Sequence, residues 1–270
     1  MLHAARSAYH KWACGVQSQR VAENEQLADK IEKIYAESPD KGYRRLNDDL
    51  RHDYGIHVND KRVLRICRAR DIRSTVKYNN HSCTRRAKNP QYLAENLLSR
   101  QFYADKPNEK WLTDVTEFKW YEGVEVHKLY LSAILDLCDR RIVFYALSER
   151  NDNPLVFKTF DRAVKATPDA HPLFHSDRGF QYTSRAFHQK LVQAGMTQSM
   201  SRVAHCIDNG PMEGFWGILK REPYYGRHFT SKQELIQMIE SYIRYYNTRR
   251  VQRNLGVLTP MEKYQLCLAA

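Results

Sequence analysis

Three acidic residues stand where an unpaired carboxylate would be costly. Asp114 lies inside WLTDVTEF, among Trp111, Leu112, Val115 and Phe118, so its charge has to be paired or metal-bound. Asp177 follows the apolar run PLFH in HSDRG, and the carboxyl end of a strand is where α/β sheets place their sites. Glu213 comes 36 positions later, in the first turn of a helix reading DNGPMEGFWGILK, with Pro211 suited to that turn. Two strand carboxylates and one helix carboxylate can converge across a sheet edge. Crowded together they repel, so they need cations, and an oxygen-only donor set selects Mg²⁺ or Mn²⁺ over zinc. Such a set suits two-metal phosphoryl transfer, in which one ion activates water or a 3′-hydroxyl and the other steadies the leaving oxygen. In that scheme Asp114, Asp177 and Glu213 would together hold the two ions. No covalent intermediate forms, so none of the 17 tyrosines is required as a nucleophile.

Neighbouring groups compete for attention. Asp136 and Asp139 read as structural, and Asp208 reads as a helix cap in front of Glu213. His175 and Ser176 precede Asp177 and could orient it, although a structural histidine at a strand end is the plainer reading. Trp111 and Trp216 read as core. Cys206 beside His205 has no second His or Cys at zinc-ligand spacing.

The elements that must carry these residues follow from periodicity. Residues 110–148 hold three β-rich runs, WLTDVTEFKW, VHKLYLSAILDL and RIVFYALS, which predict an antiparallel meander. A helix after Asn153-Pro154, a short strand HPLFH, a helix closed by Gly195, a strand before Ser201 and the Glu213 helix complete a mixed sheet with helices on its faces. Upstream, Leu27, Ile31, Ile34 and Tyr35 predict a helix over 23–37. Tyr43, Leu46 and Leu50 predict a second, and KRVLRICRAR a third that Asn59 or Asp60 can cap. Arg62, Arg65 and Arg68 on that last helix fit a helix-turn-helix that lays a basic helix in the major groove; a basic bundle with solvated arginines is the competing reading. Residues 74–108 lose periodicity around YLAENLL and read as a basic linker, whose Arg85, Arg86 and Lys88 could track phosphates. Leu235, Ile239, Tyr242 and Ile243 share one face of a helix near the carboxyl end.

Bulk properties agree with two folded units and a polyanionic partner. Across 270 residues there are 43 Lys and Arg against 31 Asp and Glu, a formal charge of +12, which suggests nucleic acid without choosing DNA or RNA. The six cysteines are scattered, unlike a disulfide framework, and read as free thiols in a reducing compartment. No run approaches the roughly 20 apolar residues of a membrane span, and no signal peptide is evident. The expected location is cytoplasmic, with no membrane partner.

Asp114, Asp177 and Glu213, with 35 residues between the last two, resemble the Asp, Asp, 35, Glu signature of retroviral integrases and transposases. The words NEKWLTDVTEF, HSDRGFQY, QSMSRVAHCIDNGPMEGFWGILKRE and YYNTRRVQRNLGVLTPMEKY are similar to those of OrfB-type insertion-sequence transposases of the IS-three group. The resemblance implies an α/β, RNase H-like catalytic core over 109–222, preceded by an all-α helix-turn-helix domain over 23–73. Residues 1–22 form an N-terminal segment and 223–270 a helical extension. It also implies metal-dependent cleavage and strand transfer of insertion-sequence ends. Lys220 would then contact the DNA end near the scissile phosphate, since seven residues along a helix returns it to the face of Glu213, and Arg178 would be a further DNA contact. Double-stranded DNA, as element ends and target, a homo-oligomer on DNA and fusion to an upstream-frame protein are the implied partners, in a bacterial, nucleoid-associated setting.

Phe180, Gly210, Gly214 and Gln252 depart from the residues common in that family at these positions. The Gly210 and Gly214 departures leave room for a silent DNA-binding regulator derived from a transposase. A structure-specific nuclease that cuts without joining is the third possibility. No paired His and paired Cys module of the retroviral-integrase type precedes the core.

Overall fold

The computed structural model describes residues 18–76, 90–202 and 206–269, together with Arg6 and His10. Arg85, Arg86, Lys88 and His205 lie outside the described residues, as does the side chain of Cys206. The chain divides into two compact units, 1–76 and 77–270.

In the first unit, α1 (Gln19–Glu37), α2 (Tyr43–Tyr54) and α3 (Asp60–Ala69) close around Leu27, Ile31, Ile34, Leu46, Leu50, Val63, Ile66 and Cys67. α1 starts four residues before the periodicity predicts. Gly55, at φ 64°, takes the left-handed conformation that ends α2. The side chain of Asn59 accepts the Lys61 N–H at 2.8 Å and caps α3, as one of the two capping options foresees.

The second unit is built on a five-stranded mixed sheet in the order β3-β2-β1-β4-β5. β1 (Lys110–Glu122), β2 (Glu125–Asp136) and β3 (Ile142–Ser148) form the antiparallel meander, with Asp114 opposite Ala133. β4 (Leu173–Ser176) and β5 (Thr197–Met200) join in parallel, reached through α4 (Asn153–Ala166) and α5 (Arg185–Gln193). Alternation along the strands splits the core in two. Trp111, Ile134 and Phe174 face Val156, Phe160 and Ala163 of α4 and Phe187 and Leu191 of α5. Leu112, Phe118, Leu131, Ala133 and Leu135 face the opposite layer.

That opposite layer is made by α6 (Gly210–Leu219) and α7 (Lys232–Thr248), through Met212, Phe215, Trp216, Leu219, Leu235, Ile239, Tyr242 and Ile243. α6 runs into a π-helical turn over Lys220–Tyr224 that contains Pro223. There the half-buried Glu222 pairs with Arg250 at 2.8 Å and also accepts the Tyr242 hydroxyl, fastening the chain beyond α7 to the end of the Glu213 helix. Asn247 on α7 bonds both the N–H and the C=O of Ile142, at 2.9 and 3.0 Å, and so holds the start of β3. α8 (Pro260–Ala269) brings Cys267 Sγ within 3.8 Å of Cys138 Sγ, both as free thiols. No helix among the described residues is long and apolar enough to cross a membrane.

From residue 90 onward the stretch expected as linker is packed on this unit. Its backbone follows the β5 edge, with Met200 N–H donating to Glu95 O at 3.2 Å and the Leu97 and Leu98 N–H groups to Ser199 Oγ at 3.0 and 3.1 Å. Leu98 and Ala104 are buried in the core layer that contains α6. Aperiodic sequence hid this because the strap is held by backbone pairing to a distant strand. Leu98→Ala is expected to cost about 2–5 kcal/mol, as for other fully buried leucines, in urea-induced unfolding; a loss near zero would show that the strap lies outside the cooperative core.

Candidate active site

β1 and β4 run parallel, with Lys110, Trp111 and Leu112 beside Leu173, Phe174 and His175. Two residues further along each strand stand Asp114 and Asp177, so the ladder delivers both to one place just beyond the end of β4. Asp114 shares the strand face of Leu112, toward α6. Glu213 occupies the first turn of α6, whose start is tied to β1 by Asn209 Nδ2 donating to Thr113 O at 3.2 Å. Asp114 and Asp177 are half-buried and Glu213 is exposed.

The charges feel one another. Burial, then the charge of Asp177, push the Asp114 carboxyl up to about 8, with Glu213 adding to the rise. Burial raises Asp177, and burial together with Asp177 raises Glu213. Hydrogen bonds oppose this at Asp114, where Oδ1 accepts the Val115 N–H at 2.8 Å and Oδ2 accepts Trp216 Nε1–H at 3.0 Å. Asp177 Oδ1 accepts the Gly179 N–H at 2.8 Å. A Cβ at Gly179 would stand 3.0 Å from that oxygen and 3.1 Å from Gln181 Oε1, so a larger residue there would press on the Asp177 carboxylate. Among the described residues none of the three carboxylates has an ion pair with Lys or Arg. In donor chemistry the set fits a hard divalent cation, since it offers oxygen ligands only. Among the described residues, no three His, Cys, Asp or Glu side chains are drawn together closely enough to hold a metal ion as they stand.

Beneath the carboxylates several buried polar side chains bond to one another. Thr113 Oγ1 donates to Ala133 O at 3.0 Å, which leaves it to accept from the fully buried Tyr182 hydroxyl at 3.2 Å. His175 contacts Ser199 Oγ through Nδ1 at 2.8 Å and Ser201 Oγ through Nε2 at 3.1 Å. Ser199 Oγ already accepts two backbone N–H groups, so its proton goes to Nδ1; we assign the neutral tautomer with hydrogen on Nε2. Burial holds this imidazole down at about 4. His175 therefore braces β4 and β5 and the strap, the structural alternative for this residue.

Asp208 corrects the sequence reading. It is no helix cap: its side chain has no exposed surface and accepts from Arg202 N and Nε, Arg100 Nε and Asn96 Nδ2 at 2.8–3.1 Å. The Arg202 hydrogen bonds, with Arg100, hold its carboxyl well below the usual range. Asp208 thus clamps the strap to the loop that launches α6. Asp136 and Asp139 have the structural roles expected. Asp136 accepts from Asn108 N–H, Trp111 Nε1–H and Cys138 N–H, and Asp139 pairs with Arg141 at 3.0 Å. Trp111 is core, but Trp216 is more than core, and the signal for it was its place three residues after Glu213, on the same helix face.

The five residues expected to contact DNA are differently placed. Lys220 follows α6, with its Nζ 5.5 Å from the centre of the Phe118 ring. Arg178 Nε donates to Ser201 O at 2.8 Å. In the first unit Arg62 is bonded to Asn24 at 2.9 Å and Glu23 at 3.2 Å, whereas Arg65 and Arg68 are exposed and make no ion pair among the described residues. At Gly214 a Cβ would meet nothing within 4 Å, so that departure costs helix propensity, about 1 kcal/mol, and no space.

Burial and the neighbouring Asp177 charge place the folded-state Asp114 carboxyl at about 8, against an ordinary carboxyl value of 3.8. Between those values the unfolded chain has released a proton that the folded chain retains, so stability is fullest below the lower value and is lost as pH rises through the upper one. Asp114→Asn is expected to flatten that fall and to raise the thermal midpoint of the metal-free protein at pH 7, by about 2–4 °C for each kcal/mol of strain relieved. Melts from pH 4.5 to 8.5 check this; a lowered midpoint would contradict it.

Comparison with known proteins agrees with this architecture. Residues 22–79 match the family model described as an HTH-like domain, and 104–206 and 194–260 match two described as integrase core domains. The chain is 40% identical over 235 residues to the InsK protein of insertion sequence element IS150 from Escherichia coli strain K12, covering 86% of this chain and 81% of that one. It is 39% identical to a transposase-like protein of Haemophilus influenzae, covering 76% and 93%. It is 34% identical to the transposase for insertion sequence element IS904 of Lactococcus lactis, covering 92% and 97%. A helical HTH-like unit, an RNase H-like mixed sheet of the integrase-core kind and relatives spanning nearly the full chain place this protein among the DNA transposases of insertion sequences, in the OrfB-type family of the IS-three group.

Proposed function

We propose that the chain cleaves insertion-sequence ends and transfers their strands, with Asp114, Asp177 and Glu213 as its catalytic, metal-holding groups. The observation that carries this is that two strand carboxylates and one helix carboxylate meet at the β1, β4 and α6 seam, all three raised by burial and Asp114 and Glu213 also by neighbouring charge, with no ion pair to Lys or Arg among the described residues. Two Mg²⁺ or Mn²⁺ ions bound there would supply activation of water or a 3′-hydroxyl and charge relief at the leaving oxygen. The protein's part is to present the acids. The parallel ladder sets Asp114 and Asp177 side by side, and α6 brings Glu213, whose exposed side chain is free to swing toward them when the site closes.

Lys220, at the start of the π-helical turn that follows α6, and Arg178, one residue after Asp177, are the proposed phosphate contacts beside the carboxylates. Arg65 and Arg68 are the proposed groove contacts of α3. Arg62 would have to exchange its Glu23 and Asn24 bonds to join them. Handling both element ends together calls for a homo-oligomer on DNA, and fusion to an upstream-frame protein would supply further end recognition.

The test uses labelled element ends, with the protein alone and fused to the upstream frame. Mg²⁺-dependent nicking and joining is expected, and Asp177→Asn or Glu213→Gln is expected to abolish both while DNA affinity in a gel-shift assay stays within about twofold. Cutting that survives either substitution would exclude the carboxylate assignment. Binding without any metal-dependent cleavage would identify a silent regulator instead.

A further inference from the structure

Asp114 is pinned before any cation arrives. One oxygen accepts its neighbour's backbone N–H, and the other accepts the indole Nε1–H of Trp216 at 3.0 Å. The indole is itself held: it is 7% exposed and belongs to the core layer of the sheet, with the Phe215 ring 5.1 Å away. Trp216 follows Glu213 by three residues on α6, so the helix that supplies one carboxylate also grips another.

The residue type matters. An indole N–H is a donor with no acceptor and no charge. A Lys or Arg in its place would neutralise the cluster and compete with a divalent ion, and a carboxylate or imidazole would add a ligand. A carboxylate oxygen has two lone pairs, so the indole bond leaves Asp114 Oδ2 able to accept a cation as well. Hydrogen bonds of this kind orient metal-holding groups and tune their affinity.

We propose that Trp216 is a positioning residue that fixes the Asp114 carboxylate through its indole N–H, so that α6 sets both the helix and the strand ligand of one divalent-cation site. The proposal rests on the carboxylate reading above. It makes α6 a single lever: a shift of this helix moves Glu213 and the Asp114 orientation together.

The full chain is titrated with Mn²⁺ and free ion is read by electron paramagnetic resonance, for wild type, Trp216→Phe and Asp114→Asn. Trp216→Phe keeps most of the ring and removes the donor; it is expected to weaken Mn²⁺ binding about tenfold or more, with the metal-free circular dichroism spectrum unchanged. Asp114→Asn is expected to remove the same binding. If Asp114→Asn binds Mn²⁺ like wild type, the carboxylate reading fails. If Asp114→Asn loses the ion and Trp216→Phe keeps wild-type affinity, the role of Trp216 fails alone. A second measurement needs no Trp216 variant: among the indole N–H signals of the four tryptophans, one is expected to shift in metal-free Asp114→Asn and, in wild type, on adding Mg²⁺. No indole signal moving in Asp114→Asn would overturn the proposal.

Discussion

Like charges brought into a poorly solvated seam repel, and that repulsion organises the catalytic unit. Asp114 and Asp177 lie near one another because β1 and β4 are parallel and in register, and α6, which packs over one face of the sheet, carries Glu213 in its first turn on that side. Among the described residues no Lys or Arg pairs with the cluster, and burial holds its carboxyls above their ordinary range. A fold that keeps such an arrangement spends stability on it, and the remaining structure supplies the rigidity. Trp111, Phe174 and Phe187 lock one sheet face, while Phe215, Ile239 and Tyr246 lock the other.

Around this seam the polar groups form braces. Ser199 gathers two backbone N–H groups of the strap and the His175 ring, which reaches on to Ser201. Asp208 gathers Arg100, Arg202 and Asn96 at the threshold of α6. Glu222 and Arg250 fasten the far end of the same helix. The helix carrying Glu213 is therefore anchored at both ends by buried or partly buried charge pairs. Breaking one partner of such a pair is costly because it strands the other.

Much of this was legible in the sequence. Residue type and spacing singled out Asp114, Asp177 and Glu213 as the candidate site, strand alternation gave the meander, and the family words carried the helix-turn-helix and integrase-core architecture. The unread parts depend on partners far along the chain. Asp208, next to a helix start, looks like a cap, but its acceptor capacity is taken by Arg100, 108 residues away. Arg62 looks like a solvent-facing arginine until Asn24 and Glu23 of α1 arrive beside it. Residues 90–104 look like linker because their order comes from pairing with β5 and not from periodicity. Trp216 was the subtler case, since its apolar bulk suited the core while its one polar atom served the site.

The central claim is that the three carboxylates share divalent cations. Anomalous difference density at the manganese edge, from crystals grown with Mn²⁺, tests it most directly. The account predicts peaks within coordinating distance of Asp114, Asp177 and Glu213 oxygens. Ordered Mn²⁺ bound only elsewhere on the protein, with these three side chains left without an ion, would contradict it.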